Sequence, residues 1–369
     1  MNKVTLIGYY GFNNTGDEAI LYSILRSLKQ RNKDLQVTVL SGNPGKTEKL
    51  YGVPCRNRWR IRDVISAIWQ SDLVVFGGGS LLQDTTSRRS LDYYLAIARV
   101  ARLLRKPVYF MGQGIGPVIN EQSKQKVARV LNRVQYITVR DRDSKQQLLD
   151  MGVTKPPIEV TADIVLGLYR REVETAPGIR VLERYQLGDE DQGRMVGISV
   201  RNWRELSGYK TVVAELADSL AAKGYKVVFL PFHFPGDVSC ARDVVRQMQG
   251  DAVVIREECT TIEMLGMISR MELLIGMRMH SLIMAALMGV PSVGLSYDPK
   301  IDAAVNLMGL VDGGRVENLN LEQLRLDSMQ ILFNRDEECQ RLVQRLEPLK
   351  TKARRNVDIL EELLQEKNQ

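Results

Sequence analysis

Short apolar runs alternate with amphipathic segments along this chain, and the pattern occurs twice. In the first half, "KVTLIGYY", "LQVTVL", "DLVVFGGG", "KPVYFMGQG", "VQYITVRD" and "IEVTADI" read as buried strands. Most are parted from the next by a helix-like stretch such as "DEAILYSILRSLKQ" or "LDYYLAIARVARLLRK". Strands that pair in parallel need a crossover, usually a helix, so the alternation predicts βαβ units and a parallel sheet. A polar interval follows, roughly Tyr169 to Gly193, with Pro177, Gly178, Gly188 and an acidic cluster; it is expected to be the domain boundary. The alternation then restarts with "MVGISVRN", "YKVVFLPFH", "DAVVIRE", "MELLIGMR" and "PSVGLSY", and from about Leu321 the chain reads as helix. The expected fold is therefore α/β: two Rossmann-like domains, 1–175 and 190–335, facing each other across a cleft, with a C-terminal helical segment, 336–369.

A length of 369 residues suits two domains, and 44% hydrophobic with 26% charged residues is a soluble globular composition. The opening "MNKVTLIGYYG" runs straight into a strand with no secretory pattern. Arg278 and His280 interrupt the longest apolar run, so no transmembrane helix is expected. Cys55, Cys240, Cys259 and Cys339 lack the paired spacing of a metal site or disulfide framework, which points to a reduced cytoplasm. The net charge of +7 favours anionic partners: a phosphorylated metabolite, nucleic acid or an anionic membrane. Nucleic acid is not expected. No zinc knuckle, helix-turn-helix or RNA-binding aromatic signature occurs, and basic residues are interleaved with acidic ones.

Ligands of open parallel sheets bind beyond the carboxyl ends of the strands. After the first strand, "GYYGFNNTGDEAI" offers a tight loop with Asn13, Asn14 and Thr15, then Asp17 and Glu18 in the first turn of a helix. Thr15 or Asp17 as a helix cap is the plain alternative, but two Asn and three Gly exceed what capping needs. The loop is not a P-loop, because no Gly-Lys-Ser/Thr ending follows. "FGGGSLLQD" brings Gly77, Gly78, Gly79 and Ser80 to another strand end, as a ligand approach or simply a tight turn. "MGQGIGP" has the wrong spacing for a dinucleotide fingerprint. "VRDRDS" ends a strand with Arg140, Asp141, Arg142 and Asp143. A metal pair is one reading, and a helix capped by Asp143 or Ser144 is the other.

In the second half, "ISVRNW" places Arg201 and Asn202 at a strand end and "LPFHFPGD" places His233 at another. His233 reads equally as a packed loop histidine or a catalytic one. "MELLIGMRMHSLIMAALMGVPSVGL" reads as strand, turn, helix, strand, with Arg278 and His280 in the turn and Ser281 opening the helix. A helix start presents unpaired N–H groups and the positive end of its dipole, a natural phosphate site. Arg278 adds a planar fork of donors, His280 can exchange a proton near neutral pH, and Lys300 of "SYDPKI" lies at the next strand end. A structural His280 is the bland alternative.

"GYYGFNNTGDEAIL", "GGGSLLQD", "GQGIGP", "RDRDS" and "GMRMHSLIMAALMGVPSVGLSYDPKI" together resemble the polysaccharide pyruvyl transferases, in particular the CsaB-type branch acting on bacterial secondary cell-wall polymer. The resemblance spans roughly Met1 to Met308. It implies a GT-B-like fold and transfer of a pyruvyl group from phosphoenolpyruvate (PEP) to a sugar. The implied product is a cyclic ketal, typically on O4 and O6 of N-acetylmannosamine. The implied acceptor is a lipid-diphosphate-linked glycan on the cytoplasmic side of the membrane, and no metal or cofactor is implied beyond PEP itself. On this reading Arg278, Ser281, Lys300 and Arg201 hold PEP, and His280 is the general acid. Asp17 from the first domain is the base or orients the acceptor, and Asn13, Asn14, Thr15, Gly78, Ser80 and Arg140 line the acceptor side.

"RNRWRIRDVISAIW" sets Arg56, Arg58, Arg60 and Arg62 beside Trp59 and Trp69. Such a segment is either an ordinary solvated helix face or one that lies on an anionic lipid surface. A nucleotide-sugar glycosyltransferase of the same fold is the rival enzyme, and a non-enzymatic envelope scaffold is the rival of another class. A homo-oligomer is compatible with either enzyme.

Overall fold

The computed structural model describes residues 2–85, 87–188 and 194–366. Two wholly parallel sheets carry the fold. The first joins β1 (Lys3–Ile7), β2 (Gln36–Ser41), β3 (Cys55–Asn57), β4 (Leu73–Gly77), β5 (Val108–Gln113), β6 (Tyr136–Val139) and β7 (Ile158–Val160) in the order β3-β2-β1-β4-β5-β6-β7. The second joins β8 (Met195–Ser199), β9 (Lys226–Phe229), β10 (Ala252–Val254), β11 (Leu273–Gly276), β12 (Ser292–Ser296) and β13 (Val311–Arg315) in the order β10-β9-β8-β11-β12-β13. Strands covered by helices on both faces bury every side chain, so they are continuous apolar runs rather than alternating ones. Leu73, Val74, Val75 and Phe76 of β4 are fully buried in this way.

The chain divides into two compact units. The first is Met1–Phe12, Asp17–Gly167 and Leu349–Gln369; the second is Leu168–Pro348 together with Asn13–Gly16. In the first unit, Ile68, Phe76, Tyr94, Leu95, Phe110 and Val127 share one core. The long helix Arg335–Glu366 ends in this unit, keyed by the fully buried Asn356. The Asn356 Oδ1 accepts hydrogen bonds from the hydroxyls of Thr138 (2.6 Å) and Thr161 (3.0 Å), and its Nδ2 donates to Ala162 O (3.1 Å).

In the second unit, helix Met279–Met288 packs on β11 and β12 and on the helices Thr261–Ile268 and Pro299–Met308. Of its ten residues only His280 is not buried, so an otherwise apolar core helix carries one reactive group at its start. The polar interval expected between domains holds the helix Ala176–Arg184, with Val181 and Leu182 buried. Gly178 and Gly266 let it approach helix Thr261–Ile268 closely: a β-carbon on Gly178 would stand 2.5 Å from Gly266 Cα. Residues 189–193, the end of that interval, lie outside the described residues.

Two strands escape the sequence reading. β3 is three residues long and carries no apolar run, and β13 is "VDGGR", half-exposed at the sheet edge. Among the described residues no helix is long and apolar enough to cross a membrane.

Candidate active site

Each sheet reverses its winding once, and the crevice outside such a switch point is where open α/β sheets bind ligands. The second sheet reverses between β8 and β11. Arg201 follows β8 and Arg278 follows β11; His233 follows β9 and Lys300 follows β12. All four therefore stand at the carboxyl ends of four neighbouring strands of one sheet.

Asp237, which the sequence reading passes over, organises this end. Its side chain is 2% exposed, and Arg278 clamps it with two donors: Nε donates to Oδ2 at 3.0 Å, and Nη2 donates to Oδ1. The same Oδ2 accepts the backbone N–H groups of Phe232 (3.1 Å) and His233 (2.9 Å). A carboxylate accepting four charge-assisted hydrogen bonds from three residues fixes both the arginine and the loop bearing His233. Burial pushes the His233 imidazole below its ordinary value; Arg278 and Arg201 push the same way, and Asp237 opposes them.

Asn13–Gly16 belong to this unit and pair with the His233 loop. Asn14 bridges His233 antiparallel, Thr15 N donates to Phe232 O (2.8 Å), and Phe234 N donates to Asn13 O (3.2 Å). Asn14 Oδ1 accepts from Gly16 N at 3.1 Å, so Asn14 satisfies an N–H at this helix start. Gly16 lies against the His280 ring: a β-carbon there would come 2.7 Å from Cγ, and nearer still to Nδ1.

Arg201 and Lys300 meet at Tyr297, a second residue the sequence reading missed. Arg201 Nη1 donates to the Tyr297 hydroxyl (2.9 Å), and its guanidinium carbon lies 4.8 Å from the ring centroid; Lys300 Nζ lies 5.7 Å from the same centroid. The Trp203 ring packs on Tyr297 at 4.5 Å. Lys300 lies in the first turn of helix Pro299–Met308, capped by Asp298, whose Oδ2 is 3.8 Å from Nζ. Ser281 is fully buried and its hydroxyl donates to Arg278 O (2.6 Å), which leaves it inside the helix start and not on its surface.

The first sheet reverses between β1 and β4. Asp17 follows β1 and the Gly77–Gly79 triplet ends β4. Gly79 has φ +74°, and a β-carbon there would stand 3.0 Å from Asp17 Oδ1. Asp17 also helps raise the Tyr9 and Tyr10 hydroxyls, whose main cause is burial. Glu18 is held structurally: Gly11 N (2.7 Å) and the Tyr51 hydroxyl (2.8 Å) donate to its carboxylate. Arg140 is 7% exposed and reaches Ser80 Oγ (3.4 Å), Asp141 (3.5 Å) and Asp163 (3.7 Å). Asp141, not Asp143 or Ser144, caps the following helix, accepting from Ser144 N at 2.7 Å. Among the described residues no group of three or more His, Cys, Asp or Glu side chains is placed to hold a metal ion. The expected acceptor set is thus divided: Gly78, Ser80 and Arg140 lie with Asp17 in the first unit, and Asn13, Asn14 and Thr15 with His280 in the second.

A family model described as "Polysaccharide pyruvyl transferase" matches residues 14–299, well over half of the chain. The chain belongs to the polysaccharide pyruvyl transferase family. The amylovoran biosynthesis protein AmsJ of Erwinia amylovora is 24% identical, over 84% of this chain and 86% of that one. This polysaccharide pyruvyl transferase is accordingly a transferase of polysaccharide biosynthesis, and the matched span contains Asp17, Arg140, Arg201, His233, Asp237, Arg278 and His280, while Asn13 and Lys300 flank it. Solved structures share its GT-B-like fold: the UDP-GlcNAc 2-epimerase of Neisseria meningitidis (TM-score 0.66, 13% identity, 98% of this chain and 100% of that one) and that of Methanocaldococcus jannaschii (TM-score 0.68, 14% identity, 98% and 100%).

Proposed function

We propose that the chain transfers a pyruvyl group from PEP to a sugar of a lipid-linked cell-wall polysaccharide precursor, N-acetylmannosamine as its 4,6-ketal in the CsaB manner, and releases phosphate. The observation that carries this reading is the Arg278–His280 turn. A guanidinium locked on Asp237 and an imidazole seated on Gly16 share one helix start at the switch point of the second sheet.

PEP carries a phosphate and a carboxylate. Arg278, the helix start behind it, and the Arg201–Lys300 pair joined at Tyr297 supply the positive charge for both. Ser281 acts only by shaping that helix start. His280 delivers a proton to the methylene carbon of PEP, which becomes a methyl group and leaves C2 electrophilic. A sugar hydroxyl adds to C2 and gives up its proton to a base, for which Asp17 is proposed. The C2–O bond to phosphate then breaks, the second hydroxyl closes the ketal, and its proton leaves with the phosphate. Two hydroxyl protons are lost, one reaching carbon and one phosphate, so the reaction balances with no redox step or cofactor. Ser80, Arg140 and Gly78 in the first unit, and Asn13, Asn14 and Thr15 in the second, are the residues proposed to contribute to acceptor binding.

Thermal unfolding with PEP, and separately with UDP-GlcNAc, tests the donor. Ligand at a hundred times its dissociation constant adds about 2.7 kcal/mol. Lys300→Ala tests the site without unfolding it, because that side chain is 36% exposed. Stabilisation by PEP that the variant loses is expected. Stabilisation by UDP-GlcNAc and none by PEP would replace this reading with the glycosyltransferase one.

A further inference from the structure

Helix Ile61–Gln70 turns Val64, Ala67 and Ile68 into the core of the first unit. Its opposite face is also apolar. Ile61 (75% exposed), Ile65 (42%) and Trp69 (65%) stand one turn apart in a single stripe, and Trp59 (62%) projects from the turn before it. Isolated exposed apolar side chains need no explanation, but three large ones in a row on one helix with a fourth on the turn before it do. Their flanks are basic: Arg56, Arg60 and Arg62 are exposed, and none has an acidic partner among the described residues. The acid within the helix, Asp63, is half-buried and accepts the Asn57 N–H at 3.2 Å.

The fourth arginine of the segment does different work. Arg58 is 4% exposed, and its guanidinium carbon lies 4.5 to 5.4 Å from the ring centroids of Tyr93, Trp59, Phe12 and Tyr94. Its Nη1 donates to Gly8 O (2.7 Å), while Trp59 N donates to Asn57 Oδ1 (2.8 Å). The turn is therefore anchored from beneath, and the Trp59 indole is held outward at little further cost in entropy.

We infer that this helix and the Trp59 turn seat the protein on an anionic phospholipid surface. Indoles enter the headgroup boundary, isoleucines reach the acyl chains, and arginines pair with lipid phosphates; the combination of aliphatic stripe and unpaired arginines suits that partner. The Trp59 ring packs on Tyr93 (5.6 Å between centroids) and Phe12 (6.2 Å), and the stripe it leads into is Ile61, Ile65 and Trp69, an apolar row that suits acyl chains better than a saccharide. The inference does not depend on the donor assigned above, because its test uses no PEP.

The test is co-sedimentation of the full chain with phosphatidylcholine vesicles, with and without phosphatidylglycerol. Pelleting is expected only with the anionic vesicles, falling as salt is raised. Each of Arg60→Gln and Arg62→Gln should lower the partition coefficient about fivefold. The pair Ile65→Ser with Trp69→Ser should lower it by about tenfold or more while leaving the thermal midpoint unchanged. Wild type remaining in the supernatant at low salt, or the Ser pair pelleting like wild type, overturns the inference. So does a self-associated wild type that the Ser pair makes monomeric with no vesicle binding, which would make the stripe an interface between copies.

Discussion

The His280 ring rests on the α-carbon of Gly16, so the loop that leaves β1 sets the position of the one histidine in the helix Met279–Met288. Any side chain at Gly16 would displace the ring, because a β-carbon would come within 2.7 Å of its Cγ. Misplacing a catalytic group by about 1 Å costs on the order of a hundredfold. Gly16→Ala is expected to lower kcat for phosphate release from PEP by that factor, and His280→Ala by at least as much, with folding kept in both. Near wild-type turnover in His280→Ala would remove the general acid assignment.

Asp237 and Arg278 stand or fall together. Truncating one member of a largely buried pair leaves the other charge uncompensated, at a cost of about 3 kcal/mol. Asp237→Asn keeps the shape but gives up the charge and its strong acceptance from Phe232 and His233 N–H. Urea unfolding should show that loss, and Arg278→Lys should fail to restore the two-point clamp. An Asp237→Asn protein as stable as wild type would mean the clamp holds PEP-binding geometry without supporting the fold.

Most of the strands were legible because parallel strands buried on both faces are short apolar runs, and eleven such runs were readable, although their order within each sheet was not. β3 and β13 were not, since "CRN" and "VDGGR" sit at sheet edges where burial does not demand apolar residues. Arg278, His280, Arg201 and Lys300 could be placed at strand ends from their position alone. Their partners could not. Asp237 reads as an acid in the first turn of a helix, a common electrostatic preference, and nothing local ties it to an arginine 41 residues away. Tyr297 and Arg58 escaped likewise, one as strand-end filler and the other as one more cation in a basic segment. Nor does the sequence say that Asn13–Gly16 leave their own sheet to pair with the His233 loop.

The His233 imidazole makes stability depend on pH with a definite sign. Burial, helped by Arg278 and Arg201, depresses its folded-state value below the ordinary 6.5. Above that value the ring is neutral in both states, and the folded state incurs no penalty. As pH falls below 6.5 the unfolded chain takes up the proton first, so stability is lost through the window down to the depressed value. Unfolding free energies between about pH 7.5 and pH 5.5 should decline, and His233→Gln should flatten that slope. An unchanged slope in the variant would assign the dependence to another group.

Asp17 is positioned by the Gly77–Gly79 triplet as His280 is by Gly16, and Gly79 offers the sharper test. Its φ of +74° lies where L side chains are strained, and a β-carbon would stand 3.0 Å from Asp17 Oδ1. Gly79→Ala should therefore cost about 1–2 kcal/mol of stability and push the carboxylate aside. If Asp17 accepts the acceptor's proton, Asp17→Asn loses on the order of a hundredfold to ten-thousandfold in kcat, while stabilisation by PEP is kept in both variants. Loss of PEP stabilisation in Asp17→Asn would move Asp17 to the donor side. Unchanged kcat with an impaired KM for acceptor would leave it as an orienting group and send the search for the base elsewhere.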